Sequence, residues 1–178
     1  SSQIYVLPVS EPSYLPILVS NSVKPVVDAK SAAVYDTRSG RFLFAKSARS
    51  PLPVASLTKI MTSLIVVEQL GLDETVKVSA EVVRVDGEKQ TLYKDEEISV
   101  LSLLKLMLIE SSNDAAFAIA GHFKNVTGKD MVQEMNDKAR LLQMTETKFL
   151  DPAGLNDSAY STVEDMTKLV RNAMAADI

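Results

Sequence analysis

The amino-acid sequence predicts an α+β fold, in which one β-hairpin precedes a predominantly helical body. Two short apolar runs, residues 32–36 and 41–45, flank a turn that ends in Gly40, which is the pattern of a hairpin. From Ser56 onward, apolar residues recur mainly with helical spacing. With 178 residues, 46% of them hydrophobic and 24% charged, the chain has the composition of one ordinary globular domain.

Charge and cysteine content exclude several classes of function. The net charge of −4 comes from 19 basic and 23 acidic residues spread along the chain, so no basic stripe is available to bind nucleic acid. The absence of Cys excludes disulfides and thiolate metal sites, and it is compatible with an oxidising compartment. No cluster of His or Cys suggests a metal, and we expect no cofactor.

The first 28 residues are predicted to form an extended arm or linker, and residues 29–178 the domain proper. No apolar run approaches the roughly 20 residues that span a bilayer. The stretch from Ile4 to Val27 is interrupted by four prolines, and the chain does not begin with the basic and apolar segments of a signal peptide. A cleaved or trimmed chain would explain that beginning equally well.

The helical body begins after Pro51 and Pro53, with an apolar run from Ser56 to Leu70 that predicts a central buried helix. Residues 75–97 alternate weakly and predict short strands and loops. A further helix is predicted from Ser99, with apolar Leu101, Leu104 and Leu108 opposite Lys105. Two more helices are predicted from Asp114 toward His122 and over residues 129–142. A last helix is predicted after a capping box formed by Ser161 and Glu164.

Ser56 and Lys59 are the first candidate site residues. Residues three apart share a helix face, so the hydroxyl and the amine can meet, and an amine with a lowered pKa can activate a serine nucleophile. The same Ser-x-x-Lys spacing recurs at Ser102 and Lys105, where helix capping and solvation explain both side chains. Ser56 follows Pro51 and Pro53 and opens an apolar helix, where a charged Lys59 is costly unless it is paired.

Ser111 and Asn113 are the second pair of candidates. They belong to the only Ser-x-Asn sequence in the chain, and they fall in a break between two predicted helices, where side chains can face a cleft. Taken alone, Ser111-Ser112-Asn113 is better explained as the cap of the helix that Asp114 begins. Capping is the simpler interpretation of this segment by itself.

In combination, these segments resemble the serine D-Ala-D-Ala carboxypeptidases, the low-molecular-mass penicillin-binding proteins. The resemblance rests on Ser-Leu-Thr-Lys-Ile-Met-Thr from Ser56, on Ser-Ser-Asn-Asp-Ala from Ser111, and on Tyr160-Ser-Thr after Asp151-Pro-Ala-Gly-Leu. It runs from about Val26 to the last residue, with the segments in the order of the family. It implies a β-lactamase/transpeptidase-like fold and an extracytoplasmic location, with a membrane anchor left open for the longer protein.

The resemblance also implies a reaction. Ser56 would attack the carbonyl between the two terminal D-alanines of a peptidoglycan pentapeptide, and Lys59 would take its proton. Ser111 would relay a proton to the leaving D-alanine, and Asn113 would hold the substrate amide and orient Lys59. Water would then hydrolyse the acyl-enzyme, and β-lactam antibiotics would acylate the same serine.

One motif of the family is missing. The family places Lys-Thr-Gly or Lys-Ser-Gly on a strand beside the serine, where its Lys binds the substrate carboxylate and a backbone N–H completes the oxyanion hole. The nearest string, Arg38-Ser39-Gly40, precedes Ser56 and is expected to form the hairpin turn only. The chain therefore resembles a family member truncated before that motif, with the C-terminal sheet strands missing and with little activity of its own.

A lone hairpin is marginally stable and presents open edges. We therefore expect a complementing C-terminal fragment, a second copy in a homo-oligomer, or part of the arm Ile4 to Val19 to cover them.

Two functional alternatives stay open: a penicillin-binding sensor or scaffold without turnover, and a β-lactamase. A Ser-His-Asp triad is disfavoured because the single His122 lies among apolar helical residues, and the carboxylates 95–97 are typical of a solvated turn.

Overall fold

The computed structural model describes residues 15–85 and 91–176. The chain divides into two compact units with the boundary between Ala48 and Arg49, and each unit is described by itself. Most of the predicted arm Ile4 to Val19, and residues 86–90 of the predicted loop region, lie outside the described residues. The predicted domain boundary after residue 28 remains a prediction.

The first unit contains the hairpin that the sequence predicts. Strand β1 (Ala32–Asp36) pairs antiparallel with β2 (Arg41–Lys46), with one register shift between Val34 and Tyr35. The carboxylate of Asp36 closes the turn by accepting from the backbone N–H groups of Arg38 (3.1 Å) and Ser39 (3.2 Å). Gly40 adopts the left-handed conformation, φ 71°, that the turn requires. The Arg-Ser-Gly string thus forms the hairpin turn, as expected.

The second unit is built around one helix. A short 3₁₀ turn (Ala55–Leu57) leads into α1 (Thr58–Gln69), whose Met61, Leu64 and Val66 are at most 1% exposed. Helices α2 (Val100–Ile109), α3 (Asn113–Thr127), α4 (Met131–Leu141) and α5 (Val163–Ala175) all pack against α1. The prediction of a central buried helix is therefore confirmed.

The remaining strands of this unit are short. Strand β3 (Leu52–Pro53) pairs with β6 (Tyr160–Ser161), and β4 (Thr75–Lys77) pairs with β5 (Glu97–Ser99), both antiparallel. In the part of the chain that the structure describes, the strands form three separate two-stranded sheets, and no further strand pairs with β1 or β2. This agrees with an α+β fold in which a hairpin is accompanied by a helical body.

Three details of the predicted helices were wrong. In α2, Leu101 and Leu108 are exposed, and the buried residues are Val100, Leu103, Leu104 and Met107. Helix α3 begins one residue before Asp114 and continues five residues past His122. The cap of α5 is Thr162, which accepts from the N–H of Asp165 at 3.1 Å, so the predicted capping pair of Ser161 and Glu164 lies one residue too early.

Candidate functional site

Ser56 and Lys59 meet where the 3₁₀ turn passes into α1. Ser56 lies on the turn and is exposed, whereas Lys59, one helical turn later, is only 2% exposed. Lys59 Nζ lies 2.9 Å from Ser56 Oγ. The pairing that the spacing predicted is therefore present, with the hydroxyl accessible and the amine buried.

The Lys59 amine is surrounded by oxygen atoms. Its Nζ lies 2.8 Å from Asn113 Oδ1, 3.0 Å from the carbonyl oxygen of Ala153 and 3.4 Å from Ser111 Oγ, in addition to its contact with Ser56. Burial lowers the pKa of Lys59, and the negative charge of Asp151 opposes this shift in part. The site thus favours loss of a proton from the lysine more than water does.

Two of these oxygen atoms determine where the lone pair of a neutral Lys59 amine can point. The Asn113 side-chain oxygen and the Ala153 carbonyl oxygen can only accept hydrogen bonds. A neutral lysine amine has two hydrogens, and donating one to each of these oxygens leaves its lone pair for the Ser56 hydroxyl at 2.9 Å. In this state the Ser56 hydroxyl donates to Lys59, which is the geometry needed for proton removal from a nucleophile.

Ser111 occupies the break between α2 and α3 in a left-handed conformation, φ 57°. Its hydroxyl donates to Ser56 Oγ at 2.9 Å. The adjacent Ser112 caps α3 by accepting from the N–H of Ala115 at 3.0 Å, and Asn113 is the first residue of that helix. The capping interpretation is therefore correct for Ser112, while Ser111 and Asn113 on either side of it face Lys59.

A buried carboxylate holds this turn in place. Asp114 is 4% exposed and accepts from the N–H groups of Thr91 (2.7 Å) and Leu92 (2.8 Å), from the Thr91 hydroxyl (2.6 Å) and from the hydroxyl of Ser112. Burial is the largest single influence on Asp114 and raises its pKa. The hydrogen bonds together outweigh burial, so the pKa of Asp114 is lowered from its ordinary value. Asp114 was predicted only as a helix start, and no local pattern pointed to its contact with residues 91–92.

The sequence also gave no role to the segment after Phe149. The Ala153 carbonyl bonds Lys59, and the Pro152 carbonyl accepts from the Thr62 hydroxyl of α1 at 2.7 Å. Gly154 has φ 82°, and a Cβ atom there would lie 1.8 Å from the Ala55 carbonyl oxygen. Only glycine allows this approach, and the glycine itself was the one available sequence signal.

A cleft of about 470 Å³ opens beside these residues. Ser56, Lys59 and Ser111 lie in its wall, together with apolar side chains that line the remainder: Val54, Ala55, Leu57, Ile60, Met107 and Leu108. The exposed Leu108 of α2, which was predicted to lie on the apolar side of its helix opposite Lys105, is therefore part of the cleft wall.

The sequence alternatives are located elsewhere. Ser102 lies in the first turn of α2, where its N–H and hydroxyl both contact Ser99 Oγ, and Lys105 is exposed. His122 Nε2 bonds Glu74 Oε2 at 2.7 Å, and this bond lowers the pKa of Glu74. Asp95 lies in an exposed turn with φ 65°. Ser102 and Lys105, His122 and Asp95 thus have the structural roles that the sequence predicted for them, and they lie outside the cleft beside Ser56.

Comparison with known proteins identifies the family. The sequence pattern of the peptidase S11 family, described as D-alanyl-D-alanine carboxypeptidase, matches residues 19–178. The chain belongs to this family. The resemblance seen in the sequence is thereby confirmed, and with it the assignment to serine DD-peptidases.

Curated relatives include two kinds of DD-peptidase. The carboxypeptidase DacF of Bacillus subtilis is 33% identical over 153 residues, which are 83% of this chain and 39% of DacF. A D-alanyl-D-alanine endopeptidase of Escherichia coli is 32% identical over 149 residues, again 83% of this chain and 48% of the relative. The chain thus spans less than half the length of either protein.

Solved structures of the family share the fold. The carboxypeptidase DacD of Francisella tularensis matches with a TM-score of 0.80 and 28% identity, over 90% of this chain and 40% of DacD. Penicillin-binding protein D2 of Listeria monocytogenes, solved in its ampicillin-bound form, matches with a TM-score of 0.70 and 31% identity, over 83% of this chain and 62% of that protein. The transpeptidase-like fold is therefore confirmed over part of its length.

No helix within residues 15–85 and 91–176 has the length and apolar character needed to cross a membrane.

Proposed function

We propose that this chain carries the nucleophile and base of a serine D-alanyl-D-alanine carboxypeptidase, which removes the terminal D-alanine of peptidoglycan stem peptides through an acyl-enzyme on Ser56. The observation that carries the proposal is the environment of Lys59, a buried amine whose Nζ lies 2.9 Å from Ser56 Oγ, 2.8 Å from Asn113 Oδ1 and 3.0 Å from the Ala153 carbonyl oxygen. Because peptidoglycan lies outside the cytoplasmic membrane, the proposal includes an extracytoplasmic location.

The proposed reaction has two halves. Ser56 Oγ attacks the carbonyl carbon between the two D-alanines, and its proton passes to Lys59 Nζ. The C–N bond breaks as Ser111, 2.9 Å from Ser56 Oγ, relays a proton to the departing amine, leaving an ester on Ser56. Water then attacks the ester, releases the shortened peptide and returns the proton to the serine. A β-lactam carbonyl would acylate Ser56 by the same first half.

The 178 residues contain no Lys-Thr-Gly or Lys-Ser-Gly sequence. Loss of one oxyanion-hole donor costs about 10²–10³ in rate, and the anchor for the substrate carboxylate would be lost as well. We therefore propose that these residues alone acylate slowly and turn over little substrate. The strands that would complete the site are proposed to come from a complementing C-terminal segment or from a second copy of the chain.

Acylation can be tested on the chain itself. After prolonged incubation with a penicillin, intact mass spectrometry should show one adduct per chain, and peptide mapping should place it on Ser56. The Ser56→Ala variant should acquire no adduct. An adduct on any other residue, or one retained by Ser56→Ala, contradicts the assignment of the nucleophile.

Turnover is to be measured on the full-length gene product. Release of D-alanine from a pentapeptide would support the carboxypeptidase, whereas cleavage of cross-linked peptides without D-alanine release would support an endopeptidase, which the E. coli relative favours as the second candidate. A stable adduct without either activity would identify a sensor, and rapid penicillin hydrolysis a β-lactamase. Either of these last two outcomes would overturn the proposed reaction.

The proposed completion by a second copy or a second segment makes a separate prediction. Analytical ultracentrifugation should show dimers or larger species, or a complex with an added C-terminal segment. A clean monomer whose hairpin amides exchange freely with solvent would contradict it. Part of the arm Ile4 to Val19 is the third proposed cover for the hairpin edges.

A further inference from the structure

The loop between Phe149 and Tyr160 contacts the proposed site through three consecutive residues. The Pro152 carbonyl accepts from Thr62, the Ala153 carbonyl accepts from Lys59, and Gly154 lies against the carbonyl of Ala55. Residues 55, 59 and 62 follow one another at about one helical turn, so they share one face of α1 and the turn before it. The loop therefore runs along the same helix face that presents the nucleophile and its base.

The two ends of this loop are fixed by hydrogen bonds. Lys148 and Tyr160 exchange backbone bonds of 2.9 and 3.1 Å, and the Asn136 side chain bonds both the N–H (3.0 Å) and the carbonyl (2.9 Å) of Phe149. Between these ends, residues 149–159 form no helix or strand. Some other interaction must therefore hold the carbonyls of residues 152 and 153 toward α1.

The Asp151 carboxylate supplies that interaction. Its Oδ1 accepts from the N–H groups of Ala153 (2.7 Å), Gly154 (2.5 Å) and Leu155 (3.1 Å), and its Oδ2 accepts from Asn156 (2.7 Å). Four successive N–H groups turned inward to one carboxylate leave the neighbouring carbonyls facing outward. Two of those carbonyls, at positions 152 and 153, meet α1.

We propose that Asp151 is a positioning residue of the site: by folding the loop around its carboxylate, it holds the Ala153 carbonyl on Lys59 and Gly154 against the backbone that precedes Ser56. Its carboxylate bonds the backbone N–H groups of residues 153–156 and acts on Lys59 through that loop. Its effect on the base is both steric, through the Ala153 carbonyl, and electrostatic, because its negative charge favours the protonated form of Lys59.

Ala55 shows what this contact maintains. It adopts φ 45°, a left-handed conformation that is costly for a residue with a side chain, immediately before Ser56. Gly154 is the residue packed on its carbonyl oxygen, and an added Cβ would also lie 2.8 Å from Thr58 Oγ1. The loop thus supports a strained backbone position next to the proposed nucleophile, in addition to the amine.

The inference rests on the proposed function only in taking Lys59 as the base of the reaction. Its test measures the loop and the Lys59 pKa directly and does not require acylation. The ammonium titration of Lys59 can be followed by NMR in a chain labelled at lysine with ¹³C and ¹⁵N, with Lys59→Met used to assign the signal. In Asp151→Asn, the pKa of Lys59 should fall below its wild-type value because a nearby negative charge is removed. Exchange of the amides at 153–156 should quicken by about tenfold or more.

Asp157→Asn is the matched control, since Asp157 is an exposed carboxylate in the same loop. It should leave both the Lys59 titration and amide exchange at their wild-type values. If Asp151→Asn speeds exchange but leaves the Lys59 titration unchanged, Asp151 is only a loop-stabilising residue and the proposal is wrong. Failure of Ser56 to form a penicillin adduct would contradict the proposed function without bearing on this result.

A second variant covers the case in which Asp151→Asn does not fold. Asp151→Glu keeps the negative charge and moves it by one methylene, so the four N–H contacts cannot all be retained. Faster amide exchange at 153–156, together with a shifted Lys59 signal, supports the positioning role. Wild-type exchange and a wild-type Lys59 signal in this variant would overturn it.

Discussion

The chain contains the pattern Ser-x-x-Lys twice, and the two copies lie in opposite environments. In the first, Ser56 is exposed on a 3₁₀ turn and Lys59 is buried among four oxygen atoms. In the second, Ser102 lies within the first turn of α2 and Lys105 faces solvent. The difference teaches that spacing only allows the two groups to meet. Burial of the amine, and acceptors for its hydrogens, decide whether it can serve as a base.

The sharpest test of this difference is to remove each serine in turn. Ser56→Ala should abolish the penicillin adduct, because the attacking oxygen is lost. Ser102→Ala should form the adduct at the wild-type rate, since its hydroxyl contacts the cap residue Ser99 and lies outside the proposed site. Intact mass spectrometry over the same incubation measures both. Equal loss in the two variants would show that the environments do not distinguish the copies.

Replacing each lysine should give the next largest effect. Lys59→Met keeps an unbranched side chain of similar length and removes the base, which should slow acylation by about 10²–10⁴-fold. Lys105→Met should change the acylation rate by less than about twofold, because the Lys105 amine is exposed to solvent and does not line the cleft. The time course of adduct formation provides the rates, and circular dichroism checks that both variants fold. A fast Lys59→Met variant would require a different base.

The pH dependence of acylation tests the charge state of the first lysine. Only the neutral amine can accept the proton, so the acylation rate should rise about tenfold per pH unit below the pKa of Lys59 and level off above it. Because burial lowers that pKa, the plateau should begin below pH 10.5, the ordinary lysine value. Lys105→Met should keep this profile. A rate that continues to rise to pH 10.5 would show that burial has no such effect.

The smallest effect concerns the second copy and the start of α2. Ser99 caps this helix by accepting from the Ser102 N–H at 3.2 Å. Ser99→Ala should therefore lower the free energy of unfolding by about 1 kcal/mol, as measured by urea denaturation, without altering adduct formation. An altered acylation rate with unchanged stability would contradict a purely structural role for residues 99–105.

Local chemistry explains which features the sequence could predict. The hairpin followed from a turn that needs Gly40, and α1 followed from an apolar run bounded by prolines; both signals act over a few residues. The pairing of Ser56 with Lys59 followed from helix geometry in the same way. The roles of Ser111 and Asn113 needed the family resemblance, because a Ser-x-Asn sequence beside a helix start is also an ordinary cap.

The errors have long-range causes. Ser161 and Thr162 each precede an acidic residue by three positions, so two overlapping capping signatures compete at α5. Tertiary contacts decide between them: Ser161 pairs with Leu52 in the short sheet, while Asp165 is buried against the N–H of Glu146 and the hydroxyl of Thr147. In the same way, several stripes of α2 are apolar, and only packing selects the buried one.

The residues that the sequence missed act through the backbone. The Ala153 carbonyl has no side-chain signature, and its partner Lys59 lies 94 residues earlier in the chain. Asp151 and Asp114 are ordinary turn and helix-start residues by local pattern. Their importance comes from the segments they hold against α1 and α3, which only the assembled fold reveals.

The burial of Lys59 also links proton binding to unfolding. In the unfolded chain this lysine keeps its proton up to its ordinary pKa of 10.5, whereas in the folded chain the pKa is lowered. Between these two values the unfolded state binds more protons, so the stability of the fold rises with pH across that window. At lower pH the full cost of a buried ammonium remains. The arrangement that suits Lys59 to act as a base therefore weakens the fold at neutral pH.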